Sequence, residues 1–201
     1  MLTVIGIDPA FANMGLCRAG INLNVSQGLK PLEIQELKLI STEGQDRKVV
    51  RKSSDDLRRA QELHAGLVEF CSPSYHPSSF PRIAFAEIPS GAQSAAAAKA
   101  LGIAVGVLAA CPIPIIQVNP LQVKLFTAGK KATKDDMIAW AVGLYPDADW
   151  LRHGKEGRIT KANEHLADAI AIIHAGIHTT EFKQLVAMLP KSTSIKRVKA
   201  I

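Results

Sequence analysis

The chain has few cysteines and no long uninterrupted apolar run. Its three cysteines, Cys17, Cys71 and Cys111, are odd in number and widely spaced, and no Cys-x-x-Cys pair occurs. This pattern argues against a disulfide framework or a structural zinc site, and it favours a reducing compartment. The longest apolar region, residues 101–116, contains two glycines and two prolines and is too short to span a bilayer.

The start of the chain also lacks the basic and then apolar pattern of a secretory signal. We therefore expect a soluble, cytoplasmic protein. Acidic residues are fewer than basic ones, 18 against 24, which gives a net charge of +6. An excess of positive charge favours a polyanionic partner such as nucleic acid.

The overall composition is that of an ordinary globular protein. Of the 201 residues, 47% are hydrophobic and 21% are charged. This length suits one domain with a substantial core. We predict a single domain over residues 1–190, followed by a basic tail over residues 191–201.

The apolar runs predict a mixed five-stranded sheet. Runs over 2–8, 14–22 and 32–42 predict three antiparallel strands, and runs over 82–88 and 113–118 predict later strands that alternate with helices. Three strands followed by helix–strand–helix–strand–helix indicate an α/β fold with helices on both faces of the sheet.

The helix boundaries follow from capping residues. Ser54 or Asp55 is expected to cap the first helix, whose apolar face would contain four residues. These are Leu57, Leu63, Leu67 and Phe70. Later helices are predicted over 94–110, from Pro120, from Thr133 and over 164–178, and residues 146–163 are predicted to be a polar, basic loop.

Two predicted strands end in a carboxylate, Asp8 in the first and Glu87 in the fourth. A third acid, Asp168, lies in the first turns of the last long helix, and it shares a helical face with Glu164 and His165. Strand ends at one edge of a sheet lie side by side, and a helix across that edge presents its own side chains there. The three acids, with either Glu164 or His165, would then converge.

Converging carboxylates repel one another unless a cation neutralises them. Mg²⁺ and Mn²⁺ prefer oxygen ligands, and Mn²⁺ also accepts imidazole. Two such ions, roughly 3.5–4 Å apart, cleave phosphodiester bonds by activating a water and stabilising the leaving 3′-oxygen. The alternative for each acid alone is a turn or cap residue, and for His165 a surface histidine.

Four segments resemble, in order, the motifs of the RuvC family of Holliday-junction resolvases. IGIDPAFANMG resembles the family's opening IDPG loop, and FAEIPSGAQSAAAAKALGIAVGVL resembles its second motif. IIQVNPLQVKLFTAGKKATKDDMIAW resembles its P-x-x-VK segment, and EHLADAIAIIHA resembles its final helix. The resemblance extends through nearly the whole chain.

The resemblance implies an RNase H-like fold and a homodimeric endonuclease that cuts four-way DNA junctions. It implies two Mg²⁺ or Mn²⁺ ions in each site, with 5′-phosphate and 3′-hydroxyl ends as products, and it leaves open whether a helicase partner is needed. The implied metal ligands are Asp8, Glu87, His165 and Asp168, with His165 favoured over Glu164. Lys124 and Lys134 match the family's basic residues near the scissile phosphate, where a lysine neutralises developing negative charge.

Three basic segments are candidates for contacts with DNA phosphates. The first is Arg47–Lys52 with Arg58 and Arg59; the second includes Lys130 and Lys131; the third includes Arg152, Lys155, Arg158 and Lys161. Selectivity for junctions would come from DNA shape, read by a dimer that uses the helix over 94–110. The alternatives are that the charges only favour solubility and that this helix packs on the sheet.

The chain departs from the family pattern at several positions. Ala10 replaces the glycine of the opening loop, and Ser90 stands where bacterial relatives have an aromatic residue. Phe11 and Tyr75 are candidates to replace that aromatic residue. Residues 22–57 form a longer and more basic region than expected, which indicates a divergent or phage member in a bacterial or phage-infected cell.

Three other functions fit parts of the sequence. One is an RNase H-like nuclease for branched or flap DNA or for RNA–DNA hybrids. Another is a junction-binding protein without catalysis, although all the acidic positions are filled. The third is an actin-like ATPase, which the short chain and the lack of a second phosphate-binding glycine motif argue against.

Overall fold

A computed structural model describes residues 1–23, 32–46, 48–72 and 80–189. Arg47, Tyr75 and the basic tail over 191–201 lie outside these residues, so the predictions for them are not addressed. In the part of the chain that is described, no helix is long and apolar enough to cross a membrane.

Five strands form one mixed sheet in the order β3-β2-β1-β4-β5. The antiparallel strands are β1 (Leu2–Asp8), β2 (Asn13–Ile21) and β3 (Glu33–Ser41). The strands β4 (Ile83–Glu87) and β5 (Ile115–Val118) continue the sheet parallel to β1. This topology confirms the predicted fold class.

Helices cover both faces of the sheet. In the described ranges they are α1 (Lys52–Cys71), α2 (Ala95–Ala109), α3 (Pro120–Leu125), α4 (Lys134–Leu144), α5 (Asn163–Gly176) and α6 (Thr180–Met188). One face packs against α1 and α2, and the other packs against α5 with α4 and α6 outside it. Thr133, from which a helix was predicted, caps α4, and Asn119 caps α3, because each side chain accepts a backbone N–H of the helix that follows it.

The predicted start of α1 is wrong by about one turn. The helix begins at Lys52, and its N-cap is Arg51, so Ser54 and Asp55 lie inside the first turn. Asp55 accepts a hydrogen bond from the backbone N–H of Gln45 and pairs with the Arg58 guanidinium. The carboxylate is therefore engaged by tertiary partners and does not cap the helix.

The predicted apolar face of α1 is correct at three of its four positions. Leu63, Leu67 and Phe70 are buried against the sheet, but the side chain of Leu57 is 60% exposed. Asp56 and Arg59 are buried in the same part of the helix. Two charged side chains with partners of their own are thus buried where the hydrophobic pattern predicted leucine.

Two elements were not among the predictions. Residues predicted as a loop include a short hairpin, β6 (Arg152–His153) and β7 (Arg158–Ile159), whose turn contains Gly154 and Gly157 at positive φ. The helix α6 buries only one residue, Phe182, which packs edge-to-face on Phe85 at a ring separation of 5.3 Å. Elements this short or this sparsely buried give almost no periodic pattern in the sequence.

Two glycines let α5 lie directly on the backbone of the sheet. A Cβ atom at Gly6 of β1 would lie 2.0 Å from the carbonyl oxygen of Ala169. A Cβ atom at Gly15 of β2 would lie 2.0 Å from the carbonyl oxygen of His165. Since these oxygens belong to the helix backbone, a larger residue at either strand position would push the whole helix outward.

We predict that Gly6→Ala destabilises the protein by at least about 2 kcal/mol, because the added methyl group overlaps the backbone of α5. The measurement is the free energy of unfolding in urea. Gly143→Ala in α4 is the matched control: a Cβ there meets nothing within 4 Å, and removing a helical glycine should stabilise the protein slightly. Equal stability of the two variants would show that α5 is not in contact with β1 at this point.

Candidate active site

The predicted acid at the end of β1 meets the predicted histidine of α5. Asp8 pairs across the sheet with Gly15, and the backbone of His165 lies directly over Gly15. His165 Nδ1 is consequently 2.7 Å from Asp8 Oδ2, and both side chains are largely buried. A hydrogen bond to Asp8 raises the pKa of His165 against the opposing effect of burial, so the imidazolium form is favoured.

Glu87 and Asp168 complete an acidic cluster with Asp8. The strands β1 and β4 are parallel and pair Ile7 with Ala86, so the next residues, Asp8 and Glu87, end side by side. Burial, followed by the charges of Asp8 and Asp168, raises the pKa of Glu87 to about 7. Burial and the charge of Asp8 raise the pKa of Asp168 to about 7 as well. The three carboxylates from β1, β4 and α5 are therefore within electrostatic reach of one another.

Glu164 faces a lysine. Its Oε1 atom accepts a hydrogen bond of 2.9 Å from Lys134 Nζ and lies 3.5 Å from His165 Nε2. This hydrogen bond raises the pKa of Lys134, with smaller contributions from the charges of Asp168 and Asp8. A chain of alternating charges thus runs from Lys134 through Glu164 and His165 to Asp8.

The second predicted catalytic lysine lies on the other side of the cluster. Lys124 is exposed in the last turn of α3, and its charge acts on Glu87 by lowering the pKa of that carboxyl. Lys134 is the first residue of α4, where the Thr133 capping box fixes the start of the helix. Two cations from different helices therefore border the acidic cluster.

The side chains of the cluster are of the types that bind divalent cations. Three carboxylates and an imidazole are ligands that Mn²⁺ accepts, and the carboxylates alone suit Mg²⁺. Burial, followed by the charge of Asp8, raises the pKa values of Glu87 and Asp168, and a bound cation would oppose both effects. Among the described residues, no three His, Cys, Asp or Glu side chains are already arranged around a common point that would hold an ion. The Asp8–His165 hydrogen bond engages one potential metal-ligand atom of each residue, Oδ2 of Asp8 and Nδ1 of His165.

The loop after β1 is held by residues that the sequence did not single out for this role. Thr42 donates its hydroxyl to the carbonyl of Phe11 at 2.7 Å and its backbone N–H to the carbonyl of Ala12 at 2.8 Å. The Arg59 guanidinium lies 3.9 Å from the centre of the Phe11 ring and donates to the Thr42 hydroxyl. The loop that follows Asp8 is thereby fixed to β3 and α1.

This anchoring removes two arginines from the predicted DNA contacts. Arg59 is 8% exposed, and its side chain is directed at Thr42 and Phe11. Arg58 forms ion pairs with Asp55 and Glu62 of its own helix. Their positive charges are therefore offset or buried within the protein.

The remaining predicted DNA-binding residues are exposed. They are Lys130, Lys131, Arg152, Lys155, Arg158 and Lys161. Arg158 pairs with Glu156, and Arg152 donates to the carbonyl of Gly157. The four lysines form no ion pair with any described residue, so their charges face solvent.

A buried asparagine attaches the basic hairpin to α5. Asn163, the first residue of α5, is fully buried. Its amide oxygen accepts the backbone N–H of Leu151, and its amide nitrogen donates to the carbonyls of Leu151 and Thr160. Both ends of the segment that contains β6 and β7 are thus bound to the helix that contains His165 and Asp168.

No family model matches the sequence, and a search of curated proteins found no match. Solved structures do match. The RuvC protein of T. thermophilus in complex with a Holliday junction substrate has a TM-score of 0.59 and 22% identity, over 87% of this chain and 92% of that chain. A second Thermus thermophilus RuvC structure has a TM-score of 0.57 and 23% identity, with the same coverage.

The yeast mitochondrial Holliday junction resolvase Ydc2 is more distant, with a TM-score of 0.51 and 12% identity, over 92% of this chain and 84% of that chain. These likenesses cover most of each protein. The fold of this chain is therefore the RNase H-like fold of RuvC, as the sequence motifs predicted.

The acidic cluster should lower stability as the pH rises. Since the pKa values of Glu87 and Asp168 are raised on folding, the folded protein holds protons between about pH 4 and 7 that the unfolded chain releases. Stability from these groups is therefore greatest at low pH and is lost toward pH 7. We predict that Asp168→Asn, in a chelator, gains stability over the wild-type protein as the pH rises from about 5 to 7.5.

The measurement is the midpoint of thermal unfolding at several pH values. Asp147→Asn is the matched control, because Asp147 is exposed in the turn after α4. This variant should show the same pH dependence as the wild-type protein. A difference between Asp168→Asn and the wild-type protein that does not change with pH would contradict the electrostatic coupling of the cluster.

Proposed function

We propose that this protein is a metal-dependent endonuclease that cuts four-way DNA junctions and leaves 5′-phosphate and 3′-hydroxyl ends. The observation that carries the proposal is the convergence of Asp8, Glu87 and Asp168 with His165 at one edge of the sheet. The likeness to a RuvC protein solved with a Holliday junction substrate supports DNA junctions as the substrate class.

In this proposal Asp8, Glu87, His165 and Asp168 hold one or two Mg²⁺ or Mn²⁺ ions. Bound ions would lower the pKa of the attacking water and stabilise the charge on the leaving 3′-oxygen. The protein contributes a partly buried cluster in which carboxylates are poorly neutralised, and this favours capture of a cation. To bind a metal ion, His165 has to be deprotonated at the nitrogen that would be the ligand. Its hydrogen bond to Asp8 fixes the orientation of the ring.

Lys124 and Lys134 are proposed to contact the phosphate that is cut. Each is exposed and borders the acidic cluster, so its ammonium group can offset negative charge on a bound phosphate. Glu164 is proposed as a positioning residue, because its hydrogen bond restrains the otherwise exposed Lys134 beside His165. Glu164 is in this assignment the partner of a lysine and not a metal ligand.

Binding of DNA is proposed to use the exposed charges of the basic hairpin and of the turn before α4. The carriers of this charge are Lys130, Lys131, Arg152, Lys155, Arg158 and Lys161. Such contacts give salt-dependent affinity without sequence preference. Both groups of residues adjoin the elements that contribute Lys134 and His165, so phosphates bound there lead toward the acidic cluster.

Selectivity for a branched substrate is proposed to arise from a homodimer. The helix α2 buries only Ala104, Val107 and Leu108, although it consists almost entirely of apolar residues. Its other side exposes alanines, glycines and Val105 to solvent. Small apolar residues on an exposed helix allow a second helix to approach closely, which supports α2 as the contact between two copies.

The test is a cleavage assay on a synthetic four-way junction with Mg²⁺ or Mn²⁺, with linear duplex, flap DNA and RNA–DNA hybrid as competing substrates. We expect the junction to be cut preferentially. Asp8→Asn should reduce the cleavage rate at least about a thousandfold, because a ligand in the centre of the cluster is lost. Junction affinity should change little.

Asp147→Asn serves as the control and should cleave at the wild-type rate. Equal cleavage by Asp8→Asn would refute the site. Preferential cleavage of flap DNA or of an RNA–DNA hybrid would support a nuclease with a different substrate. Tight junction binding without metal-dependent cleavage would indicate a binding protein.

The role of Glu164 is tested by a double-mutant cycle with Lys134. We expect Glu164→Ala to lower kcat about tenfold with little change in KM, because Lys134 loses its restraint. In the Lys134→Ala background, Glu164→Ala should have no further effect. Manganese affinity, measured by titration, should be unchanged in Glu164→Ala. A loss of manganese affinity, or additive effects of the two substitutions, would instead assign Glu164 to the metal site.

A further inference from the structure

The pair of cysteines on the face opposite the acidic cluster has no part in the proposed chemistry. Cys71 is the last residue of α1, and Cys111 follows the end of α2. Their Sγ atoms are 4.0 Å apart and share a hydrogen bond. The third cysteine, Cys17, is fully buried on the other side of the sheet, among residues that pack against α5.

The two helices hold the cysteines together. Near the N-terminal ends of the two helices, Lys99 of α2 forms an ion pair with the buried carboxylate of Asp56 in α1. At the other end, Cys71 meets Cys111, so α1 and α2 run side by side in the same direction. Small residues such as Ala60 and Gly106 line the groove between them. The proximity of the two sulfurs therefore follows from the packing of both helices.

The two thiols differ in their access to solvent and in their surroundings. Cys71 is 2% exposed, whereas Cys111 is partly exposed. A hydrogen bond from the Cys71 thiol lowers the pKa of Cys111 to about 7, and the backbone N–H of Ile113 acts in the same direction against the effect of burial. The pKa of Cys71 is raised by the same hydrogen bond and by burial. Cys111 is thus placed as the attacking thiolate and Cys71 as the resolving thiol.

We propose that Cys71 and Cys111 form a reversible disulfide when the protein meets a small-molecule disulfide such as oxidised glutathione. The Cys111 thiolate attacks one sulfur of that molecule, a Cys111–glutathione bond forms, and one glutathione thiolate leaves. Cys71 then attacks the Cys111 sulfur and gives its proton to the second glutathione as it departs. Two protein thiols are oxidised, and one small-molecule disulfide is reduced.

The disulfide would connect the end of α1 to the end of α2. It would close the chain between residues 71 and 111 into a loop, which restricts the unfolded state and so favours the folded one. The acidic cluster lies across the sheet from this connection. We therefore expect oxidation to raise the midpoint of thermal unfolding and to leave the arrangement of Asp8 and His165 unchanged.

The test uses the purified full chain, incubated with oxidised glutathione at about pH 8. The number of free thiols is counted by alkylation and mass spectrometry under denaturing conditions. We expect the wild-type protein to keep one free thiol, at Cys17, and to lose two hydrogens without retaining glutathione. Peptide mapping should find Cys71 joined to Cys111, and a dithiol reductant should restore three free thiols.

Variants separate the two roles. Cys71→Ala should accumulate the glutathione adduct at Cys111, because the resolving thiol is missing, and Cys111→Ser should resist modification, because both remaining cysteines are buried. Cys17→Ser is the matched control and should form the disulfide as the wild-type protein does. Three unmodified thiols in the wild-type protein, a stable adduct in place of the disulfide, or a bond to Cys17 would overturn the proposal. None of these outcomes depends on whether the protein cleaves DNA.

Discussion

Direct contact between the backbone of α5 and the sheet is the constraint on which the candidate site depends. At Gly6 and Gly15 the strands offer no side chain, so the carbonyl groups of Ala169 and His165 rest on the sheet itself. This contact sets how close the helix comes to the end of β1, and therefore whether His165 can reach Asp8. On the opposite face, α1 and α2 pack against the sheet through buried side chains.

The second organising feature is an imbalance of charge. Asp8, Glu87 and Asp168 are brought together in a partly buried position, where burial and mutual repulsion raise the pKa values of Glu87 and Asp168, while His165 and the two bordering lysines act against that rise. In a purely structural role such a cluster would only reduce stability. Its position at the edge of the sheet, beside exposed basic residues, is consistent with a site that binds a cation.

The sequence was informative where the relevant physics is local, and uninformative where it depends on distant contacts. A buried strand that ends in Asp8 or Glu87 is visible as an apolar run followed by an acid, and the position of Gly6 inside such a run is the sequence signal for close approach of a backbone. Periodicity could not choose between Glu164 and His165, because both share a helical face with Asp168. The proposed assignment of Glu164 rests instead on its contact with Lys134, thirty residues away. The burial of Arg59, one of the candidate DNA contacts, was not visible in the sequence for the same reason, since its partners Thr42 and Phe11 come from other elements.

The amide of Asn163 makes the basic hairpin and the first turn of α5 a single mechanical unit. Hydrogen bonds from Leu151 and to Leu151 and Thr160 tie both ends of the hairpin segment to this one buried side chain, and the turn that it begins contains His165. A displacement of the hairpin by a charged ligand would be passed directly to the imidazole and from there to Asp8. In the proposed function, Asn163 thus links the DNA-binding hairpin to the position of the catalytic side chains.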